Sequence, residues 1–343
     1  MKLEQATIKD LARELNVSSS TISRALKDYP GISDETKRKV REMAEKMNYR
    51  PNALARSLRK SQSFTIGVII PEVVHFFFST VISGIEEVAF SRGYNVILTQ
   101  TNEKVLREKT SIDTMLANQI DGLLVSYSKE TKDFEHFARL LEKNFPIVFF
   151  DRVPKLENTL NVTVDDYSGA YAATQHLIRQ GYRKIYHLAG PKHLSISSER
   201  ERGYLTALED YGIAHQADWI LESPLGNENE AKEIIAEVLK KASPKPDAFF
   251  AHNDMAAVGA MMACREAGLK IPDQIGIVGF SDWQFCTMLE PSLSSVAQPG
   301  FKMGVKATEL LLDMIDKKEI FDGAKNSVVL ETELLVRKSS QKP

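Results

Sequence analysis

From Phe64 onward the chain repeats one pattern, a short apolar run of strand character followed by a stretch with helical spacing. FTIGVII leads to a helix expected from about Ser79, then YNVILTQ, a helix near 105–118, DGLLVSY, a helix near 132–144 and PIVFFD. The theme restarts with NVTV, a helix near 167–180, KIYHLAG and a helix near 198–212, then DAFFAHN and IGIVGF with helices between. Alternating strands and helices build parallel sheets with right-handed crossovers. Two such runs predict two α/β lobes with a cleft between them. Open sheets of this kind bind ligands beyond the carboxyl ends of their strands. The strand-to-helix loops there carry His75-Phe76-Phe77-Phe78, Asp151-Arg152, Arg200, Asn253-Asp254 and Ser281-Asp282-Trp283. Polar groups converging beside aromatic rings suit a small polar ligand. The candidates are therefore His75, Phe77, Phe78, Asp151, Arg200, Asn253, Ser281, Asp282 and Trp283. Plainer roles compete at two places: phenylalanines of the 76–78 run can be core, and Asp254 can cap the helix that follows it.

The first 60 residues are different in kind. They hold 14 Lys/Arg against 8 Asp/Glu, a net of +6, whereas the other 283 hold 30 against 38, a net of −8. A basic head on an acidic body is expected where only one end meets phosphates. Thr7 with Asp10 three residues on makes a capping-box-like start, and Ile8, Leu11, Ala12 and Leu15 form a stripe. A break at Asn16-Val17 precedes a second helix that Ser18 can cap, with Ile22, Ala25 and Leu26 facing inward. Ser33 opens a third, SDETKRKVREMAEKM, with Val40, Met43, Ala44 and Met47 on one face. A gap that short between the first two is what a helix-turn-helix requires. The second helix then leaves Ser19, Ser20, Ser23 and Arg24 outside, a surface poor for packing but suited to a major groove, where Arg grips guanine O6 and N7. Next, Pro51-Asn52-Ala53-Leu54-Ala55-Arg56-Ser57-Leu58 has the length of two helical turns, marginal in isolation, so the residues alone read as a flexible linker.

TIKDLARELNVSSSTISRAL, followed by YRPNALARSL and TIGVIIP, resembles the lactose/galactose-repressor (LacI/GalR) family, and the likeness runs through almost the whole chain. It implies that Ser19 and Ser20 choose the operator, that Arg24 reads a base, and that Thr7, Ser18, Thr21 and Ser23 touch phosphates. It also implies that the linker folds on DNA, with Asn52 and Ala55 in contact and Leu58 wedged into the minor groove. The body resembles periplasmic binding proteins. The implied division is a helix-turn-helix domain at 1–50, a hinge at 51–61 and a two-lobed effector-binding and dimerisation domain at 62–343. Its N-lobe would take about 62–161 and 293–323, and its C-lobe about 162–292 and 324–340. Arg200 in SERERGY matches the family's ligand-binding arginine, and Asn253 in HNDMAAVGA its hydrogen-bonding asparagine. Three departures stand out. VGFSDW puts Ser281 where relatives carry an aspartate and moves the acid to Asp282. His75-Phe76 replaces the usual Asn-Pro. Leu194 and Ile196 occupy a loop where purine-responsive members use polar contacts, which counts against a purine; a sugar or sugar derivative is expected from its frequency as effector in the family.

Other classes fit less well. The sequence has no GxxxxGK[ST], HExxH, GxSxG or GxGxxG, and its seven histidines lack metal-ligand spacing, so neither an enzyme nor a cofactor is expected. Two cysteines exclude a disulfide framework and suit a reducing compartment. No apolar run approaches a membrane span, and MKLEQATIKDLARELNV lacks the apolar core of an export signal. An exported solute-binding receptor without DNA function is the alternative, and it would share the two-lobed body. The expectation is thus an all-α helix-turn-helix head plus an α/β two-lobed periplasmic-binding-protein-like body, its parallel sheets flanked by helices. The chain would act as a cytoplasmic, nucleoid-associated homodimer on a near-palindromic double-stranded operator, probed by a carbohydrate effector. VRKSSQKP after Leu335 has no leucine heptads, which favours a dimer over a tethered tetramer.

Overall fold

The computed structural model describes residues 6–49, 62–317 and 323–342. It divides into two compact units, Met1–Phe64 and Thr65–Pro343. The hinge residues Asn52, Ala55 and Leu58 lie outside the described residues.

In the first unit, helices α1 (Ile8–Glu14), α2 (Ser19–Leu26) and α3 (Asp34–Lys46) each start at a hydroxyl residue. Thr7, Ser18 and Ser33 accept from the backbone N–H three residues on, and the expected Thr7–Asp10 capping box is complete. Such caps are worth about 1 kcal/mol each. Between α1 and α2 the chain turns through Asn16 at φ 49°, a left-handed conformation that asparagine tolerates. Leu11, Ala12, Ile22, Ala25, Val40 and Ala44 form the core, with Met43 and Met47 packed at its edge.

The second unit holds two six-stranded sheets. The first contains β1 (Thr65–Ile70), β2 (Asn95–Gln100), β3 (Gly122–Val125), β4 (Ile147–Phe150), β5 (Leu160–Val164) and β11 (Val328–Leu330), in the order β11-β5-β4-β3-β1-β2. The second contains β6 (Ile185–Ala189), β7 (Ile220–Glu222), β8 (Ala248–Ala251), β9 (Gly276–Ser281), β10 (Ser294–Ala297) and β12 (Glu333–Leu335), in the order β12-β10-β9-β8-β6-β7. Every pairing is parallel except β10 with β12. Helices α4 (Phe76–Ser91), α5 (Val105–Ala117), α6 (Glu135–Glu142) and α11 (Gly300–Lys317) belong to the first lobe. Helices α7 (Asp166–Arg179), α8 (Ser195–Asp210), α9 (Glu228–Lys241) and α10 (Asp254–Glu266) belong to the second, and a short α12 (Gly323–Asn326) leads into β11. Coverage on both faces explains why β3, β4 and β8 are buried throughout. Alternation then sorts the second sheet's side chains: Phe249 and Ile277 join one core cluster, Phe250 and Val278 the other. In the first lobe α4 and α11 approach until a Cβ on Gly84 or Gly304 would meet the partner helix's backbone carbonyl, at Phe301 or Val81.

The lobe boundaries differ from the sequence expectation. NVTV was expected to open the second lobe after about residue 161, but Leu160, Asn161 and Val162 pair with β4, so β5 belongs to the first sheet and the crossing follows Val164. Likewise β10 pairs with β9, which moves the second crossing from 292 to beyond Ala297, and β11 pairs with β5, which moves the third from 324 to between Leu330 and Glu333. The helix expected from Ser79 starts at Phe76. The tail after β12 packs into the second lobe, where Ser339 donates to the Ile277 carbonyl and Ser340 to Ser294.

Candidate functional site

The first unit presents α2. Ile22 and Ala25 are buried beneath it, while Ser20 and Arg24 are exposed and Ser19, Thr21 and Ser23 half-buried. The Ser18 hydroxyl accepts from Thr21 N at 3.1 Å and lies 2.7 Å from Ser20 Oγ and 2.9 Å from Thr21 Oγ1. This chain of hydroxyls fixes the first turn of the helix. Arg24 has its guanidinium 5.8 Å from the Tyr29 ring centroid, and α2 itself bears no acidic side chain. Thr7 is exposed, its hydroxyl donating to Asp10 at 2.6 Å, and that bond holds the Asp10 carboxyl below its usual range. Exposed hydroxyls and one cation over an apolar base make a face that can meet phosphates and base edges.

In the second unit the strand ends bring groups of both lobes together. His75 precedes α4, with Nε2 3.2 Å from Glu72, and its ring meets Trp283 of the other lobe edge-on at 5.2 Å. Burial lowers the His75 pKa, and Glu72 opposes the shift. Phe77 and Phe78 are buried, 5.3 Å apart between centroids, and Phe78 packs toward Phe150. Asp151 follows β4 at φ 61° and accepts from Ser126 Oγ at 3.3 Å. Burial raises its pKa, while Arg152 and then Arg200 of the other lobe pull it down. Arg152 grips Glu103 through two nitrogens at 2.8 and 2.9 Å and also donates to the Tyr127 carbonyl.

Arg200 is the centre of the second lobe's contribution. Only 4% exposed, it projects from α8 to donate from Nε to Asp166 at 2.7 Å and from Nη1 to the His252 carbonyl at 2.5 Å. Its guanidinium lies 3.7 Å from the Phe280 ring centroid. Burial pushes the Asp166 carboxyl up to about 6 against the pull of Arg200. Next to it, burial holds His252 down to about 3, so the ring is neutral and its bonds define the tautomer. Nδ1 donates to the Leu188 carbonyl and Nε2 accepts from Asn253 Nδ2 at 3.1 Å. Asn253 also donates to the Gly226 carbonyl and accepts from Ala256 N.

Asn253, not Asp254, is therefore the cap of α10. Asp254 is wholly buried and instead accepts from Ser295 Oγ at 2.6 Å and from Trp283 N at 2.8 Å, its pKa pushed up to about 7 by burial. It thereby pins the turn in which Ser281 (φ 112°) and Asp282 (φ 53°) take left-handed conformations. Such strain persists only where the surroundings over-determine it. Ser281 donates to Gln298 Oε1 at 2.7 Å, leaving Gln298 Nε2 buried without a hydrogen-bond partner. Asp282 faces Arg337 at 2.8 Å. The strand ends thus assemble His75 with Phe78 and Trp283, and Asp151 near Arg200, whereas Asp282 turns to the C-terminal segment. Asp166, His252 and Gln298 were missed in the sequence. Asp166 opens α7 two residues beyond the end of β5, within the strand-to-helix turn, so the strand-end rule that found Asp151 points to this turn too. Among the described residues no group of three or more potential ligands could hold a metal, and no helix is long and apolar enough to cross a membrane.

The sequence profile described as "Bacterial regulatory proteins, lacI family" matches residues 7–52, and that of the "Periplasmic binding protein-like domain" matches residues 174–340. The HTH-type transcriptional repressor CytR of Escherichia coli (strain K12) is 32% identical over 339 residues, 98% of this chain and 96% of its own. The chain belongs to the LacI family. Among solved structures, the transcriptional regulator CelR–cellobiose complex matches at a TM-score of 0.73 and 26% identity, over 97% of this chain and 99% of that one. The lac repressor dimer bound to operator and the anti-inducer ONPF shares the fold at a TM-score of 0.86 and 24% identity, over 99% of this chain and 100% of that one. As a LacI-family member the chain is a transcription regulator with a DNA-binding helix-turn-helix head and a two-lobed body. Its family match covers all three head helices and ends within the linker, at Asn52.

Proposed function

We propose that this LacI-family regulator represses transcription from a near-palindromic operator as a homodimer, and that a small hydroxylated molecule, a carbohydrate, sets its operator affinity from between the two lobes. Ser19, Ser20 and Arg24 read bases, and Thr7, Ser18, Thr21 and Ser23 hold phosphates. Asn52, Ala55 and Leu58 contribute from the linker. The observation that carries the effector reading is Arg200, buried on Phe280 and held by Asp166, with Asp151 approaching from the other lobe. Carboxylates accept from ligand hydroxyls, while Arg200 and the unpartnered Gln298 Nε2 donate to ligand oxygens. His75, Phe77, Phe78, Asn253, Ser281, Asp282 and Trp283 complete the set, some through contact and some by shaping the walls. The cellobiose held by the related regulator CelR supports this ligand class.

Self-association is supported by apolar side chains left in water on the first lobe: Phe90, 85% exposed, Leu106, 75% exposed, and Ile97 and Leu98 on the edge strand β2. Ser281 is bonded to Gln298 and not to a histidine, so we read the cleft as a binding site without catalysis, in a protein that works in the cytoplasm with the chromosome. A thermal-shift screen of neutral sugars and sugar derivatives on the full chain, followed by operator titration with each hit, tests the reading. A hit that raises Tm must also change operator affinity. Hits that bind without altering operator affinity contradict it.

A further inference from the structure

Leu194 is a residue of the second lobe buried in the core of the first. It sits just before α8, six positions ahead of Arg200, and is only 3% exposed. The cluster it joins is otherwise made of first-lobe residues, including Ile69, Leu123, Tyr127 and Phe149, and Ile196 packs against the same cluster. Beside it, His193 Nε2 donates to the Lys129 carbonyl at 2.6 Å. Lys129 in turn donates from its backbone to Glu103 at 2.7 Å and from Nζ to the Leu225 carbonyl of the second lobe at 3.3 Å. Polar bonds therefore cross the cleft in both directions around one apolar insertion.

We propose that the segment His193–Ile196 is a built-in latch that fastens the two lobes to each other, with Leu194 as its bolt. Most of the holding comes from Leu194, because removing a leucine side chain from water is worth more than one hydrogen bond exchanged with solvent. The latch lies within one compact unit, and it stands apart from the carbohydrate reading, since it rests on contacts between the lobes and names no ligand.

Hydrogen exchange on the ligand-free full chain tests this with Leu194→Ser and Leu194→Met. The expected result for Leu194→Ser is exchange faster by about 10- to 100-fold at 127–131 and 194–198, with β8 in the second sheet keeping wild-type protection. Leu194→Met keeps the apolar bulk and is expected to stay within about threefold of wild type. Wild-type exchange in Leu194→Ser overturns the latch. So does acceleration that extends equally to β8, which would make Leu194 an ordinary core residue of its own lobe.

Discussion

Removing Arg200 does more than empty a ligand contact, because Asp166 is 5% exposed and depends on that guanidinium. Arg200→Ala deletes the bonds to Asp166 and to the His252 carbonyl and the stacking on Phe280. Breaking a buried ion pair from one side costs about 3–5 kcal/mol, since the other charge is left unpaired. Protonation limits that cost. The folded-state pKa of Asp166 is already raised, from 3.8 to about 6, so its contribution to stability is greatest at low pH and declines as pH rises between those values. Without Arg200, whose charge and hydrogen bonds lower this pKa, the folded value rises further and the decline continues past pH 6. The deficit of Arg200→Ala is therefore expected to be about 1–3 kcal/mol larger at pH 8 than at pH 5.5. Both tryptophans, Trp219 and Trp283, lie in the second lobe, so urea unfolding followed by their fluorescence reads the right element. Asp166→Asn added to Arg200→Ala removes the unpaired charge and is expected to abolish the extra loss at pH 8. An Arg200→Ala deficit that is equal at the two pH values, or one that Asp166→Asn leaves unchanged, refutes this account.

Three further outcomes are expected. Arg24→Ala costs about 1–3 kcal/mol on the specific operator in a fluorescence-anisotropy titration and much less on random DNA, and an equal loss on both would contradict base reading. Asp254→Asn keeps an acceptor for Trp283 N but cannot ionise. Because burial raises the Asp254 pKa to about 7, wild-type stability from this group falls as pH rises from about 4 to 7, and the variant's urea midpoint is expected to lack that component. Thr7→Ala removes the α1 capping box and is expected to lower head stability by about 1 kcal/mol in circular dichroism melts, leaving the tryptophan-reported transition in place.

The head was almost fully legible because its signals are local. Thr7, Ser18 and Ser33 stand beside the helices they cap, and the spacing of Ile22 and Ala25 marks the inward face. In the body β1 to β6, β8 and β9 were legible as strands, but the short β7, β10, β11 and β12 were not, and neither was the lobe each strand joins. Whether NVTV closes one sheet or opens the next depends on its pairing with β4 and β11, and β11 lies far along the chain. The candidate site divides in the same way. Arg200 and Asn253 stand in matching motifs, and Asp151 ends a strand. Asp166 gains its meaning from Arg200, 34 positions away, and Asp254 from Ser295, 41 positions away. Leu194 was visible only as an apolar residue in a loop where purine-responsive relatives use polar contacts; the core it enters belongs to the other lobe.

The central claim is that α2 reads a two-fold symmetric DNA site for a body that senses a ligand. Selection from a pool of random near-palindromes, run in parallel with the full chain and with a chain beginning at Thr65, addresses it most directly. The full chain is expected to enrich one symmetric sequence, and to lose that enrichment with Arg24→Ala, while the shortened chain enriches none. Equal behaviour of the full and shortened chains would contradict it.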